Sequence, residues 1–151
     1  LVIAYPESSA ELEILDLAMR EAAEGMAAPP HLITKEELAD ARSSVLAVHV
    51  SAPLRDYVVR LVAGTRGDPD PIEGVGEHLS HPASPRGSIS LVRAAQARAW
   101  LYGRDYVVPE DIGDLAPDVL RHRIGLSYRA EAEGVEAGEI IDTLLERIPV
   151  I

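Results

Sequence analysis

Ser84-Pro85-Arg86-Gly87 opens a long alanine-rich run that reads as a helix through Ile89, Val92, Ala95 and Trp100 to Tyr102. Serine suits the cap position because its hydroxyl can accept a free N–H of the first turn. Proline suits the first helical position, where its missing N–H would have had no partner in the helix. Arg86 therefore falls in the first turn, and Gly103 ends the helix. The alanines hold neighbours away very little, so the segment predicts closely packed helices.

Upstream of this run, residues 67–83 are rich in Gly, Pro, Asp and Glu, hold two histidines, and read as a mobile loop. Before the loop, Leu54, Tyr57, Val58, Leu61 and Val62 fall at i, i+3, i+4, i+7 and i+8, the apolar stripe of a buried helix face. Ser51 is placed to cap that helix, and Pro53 is tolerated in its first turn. Val48-His49-Val50 is a short extended link. Thr34 with Glu37, and Ser8 with Glu11, have capping-box spacing and open two earlier helices. The first of these carries Leu12, Leu15 and Met19 on one side and is broken by Gly25 and Pro29-Pro30. Leu1-Val2-Ile3-Ala4-Tyr5-Pro6 reads as a short strand, which needs partners and so points to a piece of something larger.

Downstream, Asp105-Tyr106-Val107-Val108 is briefly extended, and Pro109-Glu110-Asp111 starts a helix with acids in its favourable first turn. Pro117 is expected to interrupt it, with a short helix or continuation over residues 118–123. Residues 128–138 read as a polar stretch. A last helix places Ile140, Ile141, Leu144, Leu145 and Ile148 on one face.

With 151 residues, 47% of them apolar, the chain is long and apolar enough for one ordinary domain with a core. Its 14 basic and 25 acidic residues give a formal charge of -11, which disfavours nucleic acid as the main partner despite helix–turn–helix-like spacing around residues 92–120. The absence of cysteine excludes disulfides and thiol chemistry. No apolar run is long enough to span a membrane, and no basic-then-apolar leader opens the chain. A soluble, cytoplasmic protein is the expectation.

The order of Ser84-Pro85-Arg86, Val92-Arg93-Ala94-Ala95-Gln96, Gly103-Arg104-Asp105-Tyr106-Val107, Pro109-Glu110-Asp111-Ile112 and residues 115–123 resembles the C-terminal lid region of MoxR-type AAA+ ATPases. The likeness extends to Tyr5-Pro6 and to the helix over residues 140–149, and so covers essentially the whole chain. It implies an all-α, lid-type bundle of about four to five helices, preceded by a short strand and helix from the end of an AAA+ core. Residues 1–28 would be that tail and residues 29–151 the helical lid. The resemblance further implies a full-length ATPase that uses ATP and Mg, forms a homo-oligomeric ring, usually a hexamer, and matures client complexes as a chaperone. A protein with a von Willebrand A-type domain is an implied partner. Arg86, flanked by Ser84 and Pro85, matches the sensor-2 arginine that approaches the γ-phosphate and couples nucleotide state to lid angle. The chain departs from the family at Pro82, where glycine is usual, and at Val108, where Thr or Ser often caps the next helix.

Arginine suits that role because it is permanently charged and offers a planar fork of donors to phosphate oxygens. A helix start adds free N–H groups that also favour anions. The sequence contains no Gly-x-x-x-x-Gly-Lys-Ser/Thr loop and no strand ending in Asp-Glu before residue 30. Phosphate cradle and magnesium ligand are therefore missing from this chain, which is expected neither to hydrolyse ATP nor to bind it tightly alone. Arg66, Arg121 and Arg123 are candidate interface residues; the competing reading for the last two is a helix end where arginine meets the C-terminal dipole. His78 and His81 have a spacing compatible with zinc, but a polar loop is the better reading and no metal site is assigned. Trp100, Tyr102 and Tyr106 read as core or seam residues. The alternative to a lid is a free-standing helical module for protein–protein interaction, using the acidic loop and the polar stretch as contacts.

Overall fold

The computed structural model describes residues 5–25 and 32–150. The strand expected over residues 1–6 falls largely on residues 1–4, outside the described residues. Residues 1–38 and 39–151 form two compact units, the division falling at Leu38/Ala39.

In the first unit, α1 (Ser8–Glu24) is regular, with no buried residue, and Leu12, Leu15 and Met19 are exposed. Ser8 is not its cap. Glu7 holds that position, its carbonyl accepting from Glu11 N–H at 3.0 Å, and no side chain caps the helix. The box predicted at α2 (Lys35–Ala47) does form. Thr34 N–H donates to Glu37 Oε2 at 2.7 Å, and Glu37 N–H donates to Thr34 Oγ1 at 3.1 Å.

The second unit is a helical bundle. Its main helices are α3 (Ala52–Gly64), α4 (Pro85–Leu101), α5 (Pro109–Leu120) and α7 (Ala137–Arg147), with a short α6 (Tyr128–Glu133) beside them. Helix α4 packs on both α3 and α5, and α7 packs on α3 and α5, so the four enclose one core. The predicted α3 stripe is the buried one: Leu54, Tyr57, Val58, Leu61 and Val62. On α4 the buried line is Gly87, Leu91, Ala95 and Ala99, one residue per turn and mostly small, which allows close approach. Ile89 and Trp100 lie off that line and are exposed, as are Tyr102 and Tyr106. The aromatics are therefore not core; Arg98 and Arg104 instead lie over the Tyr102 ring, 5.6 and 5.8 Å from its centroid.

Gly103 ends α4 as expected. Its φ of 70° is in the left-handed region, and Arg104 N–H returns to the Ala99 carbonyl while Gly103 N–H returns to Trp100, the paired bonds of a glycine-terminated helix. Pro117 does not interrupt α5, which runs through it to Leu120. Proline can give no N–H to the preceding turn, but Ile112, Ala116 and Leu120 are buried along one face and hold the helix in register.

The two stretches read as irregular contain structure. Between α3 and α4, Val75 is fully buried and β1 (Leu79–His81) pairs antiparallel with β2 (Gly125–Leu126), Leu79 opposite Leu126. The polar stretch after β2 forms α6, whose cap Ser127 accepts from Ala130 N–H at 3.2 Å. The extended links at 48–50 and 105–108 meet in an isolated parallel bridge between His49 and Tyr106.

Candidate functional site

The start of α4 is held from three sides. Gly87 is buried, and a Cβ there would stand 3.2 Å from Leu120 Cδ2 and 3.6 Å from Val62 Cγ2. Glycine thus lets the first turn of α4 press against α5 and α3. Upstream, Ala83 is buried and gripped through its backbone. Its N–H donates to Thr65 Oγ1 at 3.1 Å, and its carbonyl accepts from Arg66 Nη1 at 2.8 Å. Thr65, only 2% exposed, donates in turn to the Val62 carbonyl at 2.6 Å.

From this anchored turn Arg86 projects as an exposed side chain at the second helical position. No described residue pairs with it by hydrogen bond or ion pair. Several other arginines of the bundle are engaged, Arg60 with Asp56, Arg98 and Arg104 with Asp111, Arg121 with Asp118, and Arg129 with Glu133, whereas the exposed Arg55, Arg93 and Arg147 likewise pair with no described residue. Ser84 occupies the cap position with extended backbone, φ -80° and ψ 165°, and Pro85 is the first helical residue. The expected cap bond is not made: the Ser84 side chain accepts none of the first-turn N–H groups, and Gly87 N–H turns back to the Ser84 carbonyl at 2.8 Å. An exposed arginine thus stands in a first turn that no side chain caps, and the free N–H groups of such a turn favour an anion.

The remaining candidates stand elsewhere. Arg66 is exposed, and its Nη1 donates to the Ala83 carbonyl at 2.8 Å. Arg121 Nε and Arg123 Nε donate to the Pro117 and Val119 carbonyls at 2.9 and 3.0 Å, so both reach back onto the last turn of α5. His78 lies between the Gly74 carbonyl at Nδ1 and Glu133 Oε2 at Nε2, 3.0 and 2.9 Å away. His81 Nδ1 sits 3.0 Å from Ser80 Oγ. Among the described residues no three His, Cys, Asp or Glu side chains gather as a metal site.

A buried charge that sequence reading missed joins α4 to α5. Asp111 is 1% exposed and takes both prongs of Arg104, each at 2.7 Å. It also accepts Val108 N–H at 3.0 Å, which makes the half of a capping box that needs no acceptor at Val108. Arg98 Nε lies 3.3 Å from Asp111 Oδ1 without the alignment of a hydrogen bond, and its Nη2 pairs with Asp114. The Arg104 fork holds the Asp111 carboxyl below its ordinary range against the opposing effect of burial. The only sequence signal was an acid at the third position of a helix that lacks a polar cap.

Residues 74–144 match the AAA lid domain family. The Bacillus subtilis protein YeaC is 36% identical over 150 residues, which are 99% of this chain and 44% of YeaC. Chaperone MoxR1 of Mycobacterium tuberculosis is 40% identical over 97 residues, covering 63% of this chain and 26% of MoxR1. A crystal structure from Cytophaga hutchinsonii, described as a proposed ATPase, superposes with a TM-score of 0.78 at 34% identity, covering 97% of this chain and 44% of that one. The chain therefore carries an AAA lid domain matching those of the MoxR-type ATPases. It corresponds to the non-catalytic lid of that family, and it spans less than half the length of these relatives.

Proposed function

We propose that this chain is the lid of a ring-forming, MoxR-type ATPase and that Arg86 is its nucleotide sensor. Residues 29–151 act as the lid and residues 1–28 as the tail of an α/β core that supplies the phosphate loop and the magnesium ligands. ATP and Mg bind at the junction in the full-length, homo-oligomeric protein. When the lid closes, Arg86 meets the terminal phosphate, with the uncapped first turn at Ser84 and Pro85 adding N–H dipoles of the same sign. Positive groups around the equatorial oxygens stabilise charge during phosphoryl transfer, and an arginine carried by the lid does so only in the closed state. Hydrolysis thereby becomes a change of lid angle, which a chaperone can deliver to a client, directly or through a von Willebrand A-type partner. Arg121 and Arg123 keep unassigned guanidinium nitrogens for a neighbouring subunit.

The observation that supports this most is the state of Arg86 itself: exposed, at a helix start, and without a partner among the described residues, in a chain of formal charge -11. The position at the helix start, with Pro85 before it and the buried Gly87 after it, is what distinguishes Arg86 from the other exposed arginines without a described partner, Arg55, Arg93 and Arg147. The test is steady-state ATP hydrolysis by the full-length protein. Arg86→Ala should lower kcat by about 10²-fold, the usual loss for one transition-state donor. Unchanged turnover would sink the sensor assignment.

A further inference from the structure

Arg86 makes no hydrogen bond or ion pair with a described residue, so its placement depends on the backbone on either side. Downstream, Gly87 seats the first turn against Leu120 and Val62. Upstream, the chain enters α4 through residues 82–84, a non-helical segment whose conformation must be fixed by other means. Pro82 opens it and Pro85, the first residue of α4, follows it. Pro85 confines Ser84 to extended backbone, as its φ of -80° and ψ of 165° show. The flexible point left is Ala83, and both polar groups of that residue are taken from one place, the end of α3. Thr65 Oγ1 accepts the Ala83 N–H at 3.1 Å and Arg66 Nη1 donates to the Ala83 carbonyl at 2.8 Å.

We propose that Thr65 and Arg66 are positioning residues for Arg86, clamping the Ala83 backbone so that the turn before α4 holds the guanidinium where a phosphate can meet it. The proposal rests on the sensor reading of Arg86 and adds to it the device that aims the sensor. Each clamp residue is suited to a neutral backbone target. Thr65 is buried, and its hydroxyl hydrogen is used on the Val62 carbonyl at 2.6 Å, which turns its lone pair toward Ala83. Arg66 directs a permanent charge at a carbonyl although the chain has 25 acidic residues. Because the two bonds grip the peptide planes on opposite sides of the Ala83 Cα, neither plane can rotate while both are made. Loss of one bond frees a plane three residues from Arg86, and a small angular error there becomes a displacement of the guanidinium, which sits at the end of a long side chain.

The test uses the full-length ATPase, with kcat and KM for ATP measured beside the melting temperature. Thr65→Val keeps the shape and removes the hydroxyl; Thr65→Ser keeps the hydroxyl. Arg66→Met removes the donor at an exposed site where folding is not at risk, and Arg66→Lys restores one. Thr65→Val and Arg66→Met should each lower kcat on the order of tenfold, the scale of loss from misplacing a group that acts in the transition state. Thr65→Ser and Arg66→Lys should recover most of it. In an Arg86→Ala background both losses should vanish, since there is no longer a guanidinium to aim. A merely structural clamp predicts the opposite, a loss that persists in that background and follows the melting temperature, and that result overturns the proposal. So does normal turnover in Arg66→Met when Arg86→Ala is impaired, which leaves the sensor reading intact. Normal turnover in Arg86→Ala overturns both.

Discussion

Asp111 is the residue on which the α4–α5 junction depends. Shut away from water, a carboxylate survives only with compensation, and here it has the Arg104 fork, the Val108 N–H and the nearby Arg98 charge. Removing it leaves two guanidinium groups facing a partly closed site. Asp111→Ala should cost about 3 kcal/mol in urea unfolding, as for one half of a buried pair. Because Arg104 depresses its folded pKa below the ordinary value of 3.8, the carboxylate contributes fully above that pH. The contribution is lost as pH falls through the depressed value, so the acid limb of the stability profile should flatten in Asp111→Asn. Ser84 gives the contrasting case. It occupies a cap position by sequence and backbone, yet its hydroxyl caps nothing. Ser84→Ala should therefore change stability by less than about 0.5 kcal/mol, the level of an ordinary surface substitution; a loss near 1 kcal/mol would mean that the cap bond forms in solution.

Elements that looked irregular in sequence are held by bonds between distant segments. His78, just before β1, reaches Glu133 on α6 while its other ring nitrogen meets Gly74, and Ser127 joins the same region through its N–H to the His78 carbonyl at 2.8 Å. Two acceptors on one imidazole favour the doubly protonated ring. The Gly74 carbonyl, and next Glu133, raise the His78 pKa above its ordinary 6.5. The charged groups near this ring are Glu77 and Glu133, with Arg129 paired to Glu133. A raised folded pKa means that the contribution is complete below pH 6.5 and is lost as pH rises through the folded value. The urea midpoint should accordingly fall between pH 6 and pH 8, and His78→Gln should remove most of that slope. An equal slope in the variant would show that another group titrates.

At the scale of the whole molecule, the bundle carries an exposed arginine in the first turn of α4, and the sequence holds no phosphate loop. One charge and a helix start give an anion weak, salt-screened attraction in water. Titration of this chain with ATP and Mg should therefore give no saturation at micromolar nucleotide, by calorimetry or by fluorescence of Trp100, which is partly exposed near the end of α4. Saturation in that range would contradict the assignment of the lid as one half of a divided site. No helix among the described residues is long and apolar enough to cross a membrane.

Local chemistry was enough to read the helices that matter most. The stripe of α3, the stripe of α7, proline at the start of α4 and α5, and glycine at the end of α4 are all rules acting within a turn or two. The order of motifs around Arg86 was also legible, and with it the lid class. What sequence left open depends on partners far along the chain. Pro117 passes without a break because burial of its neighbours outweighs one missing hydrogen bond. The strand pair joins residues 79–81 to residues 125–126, a pairing no local pattern announces. The bond from Arg66 to the Ala83 carbonyl spans 17 positions and likewise has no local signal. Sequence by itself determined which helices form and which arginine stands at a helix start, since periodicity, capping and φ restriction are local. Only the tertiary structure decided which charges are neutralised between elements of the bundle, as Asp111 is by Arg104, because that depends on distances between elements.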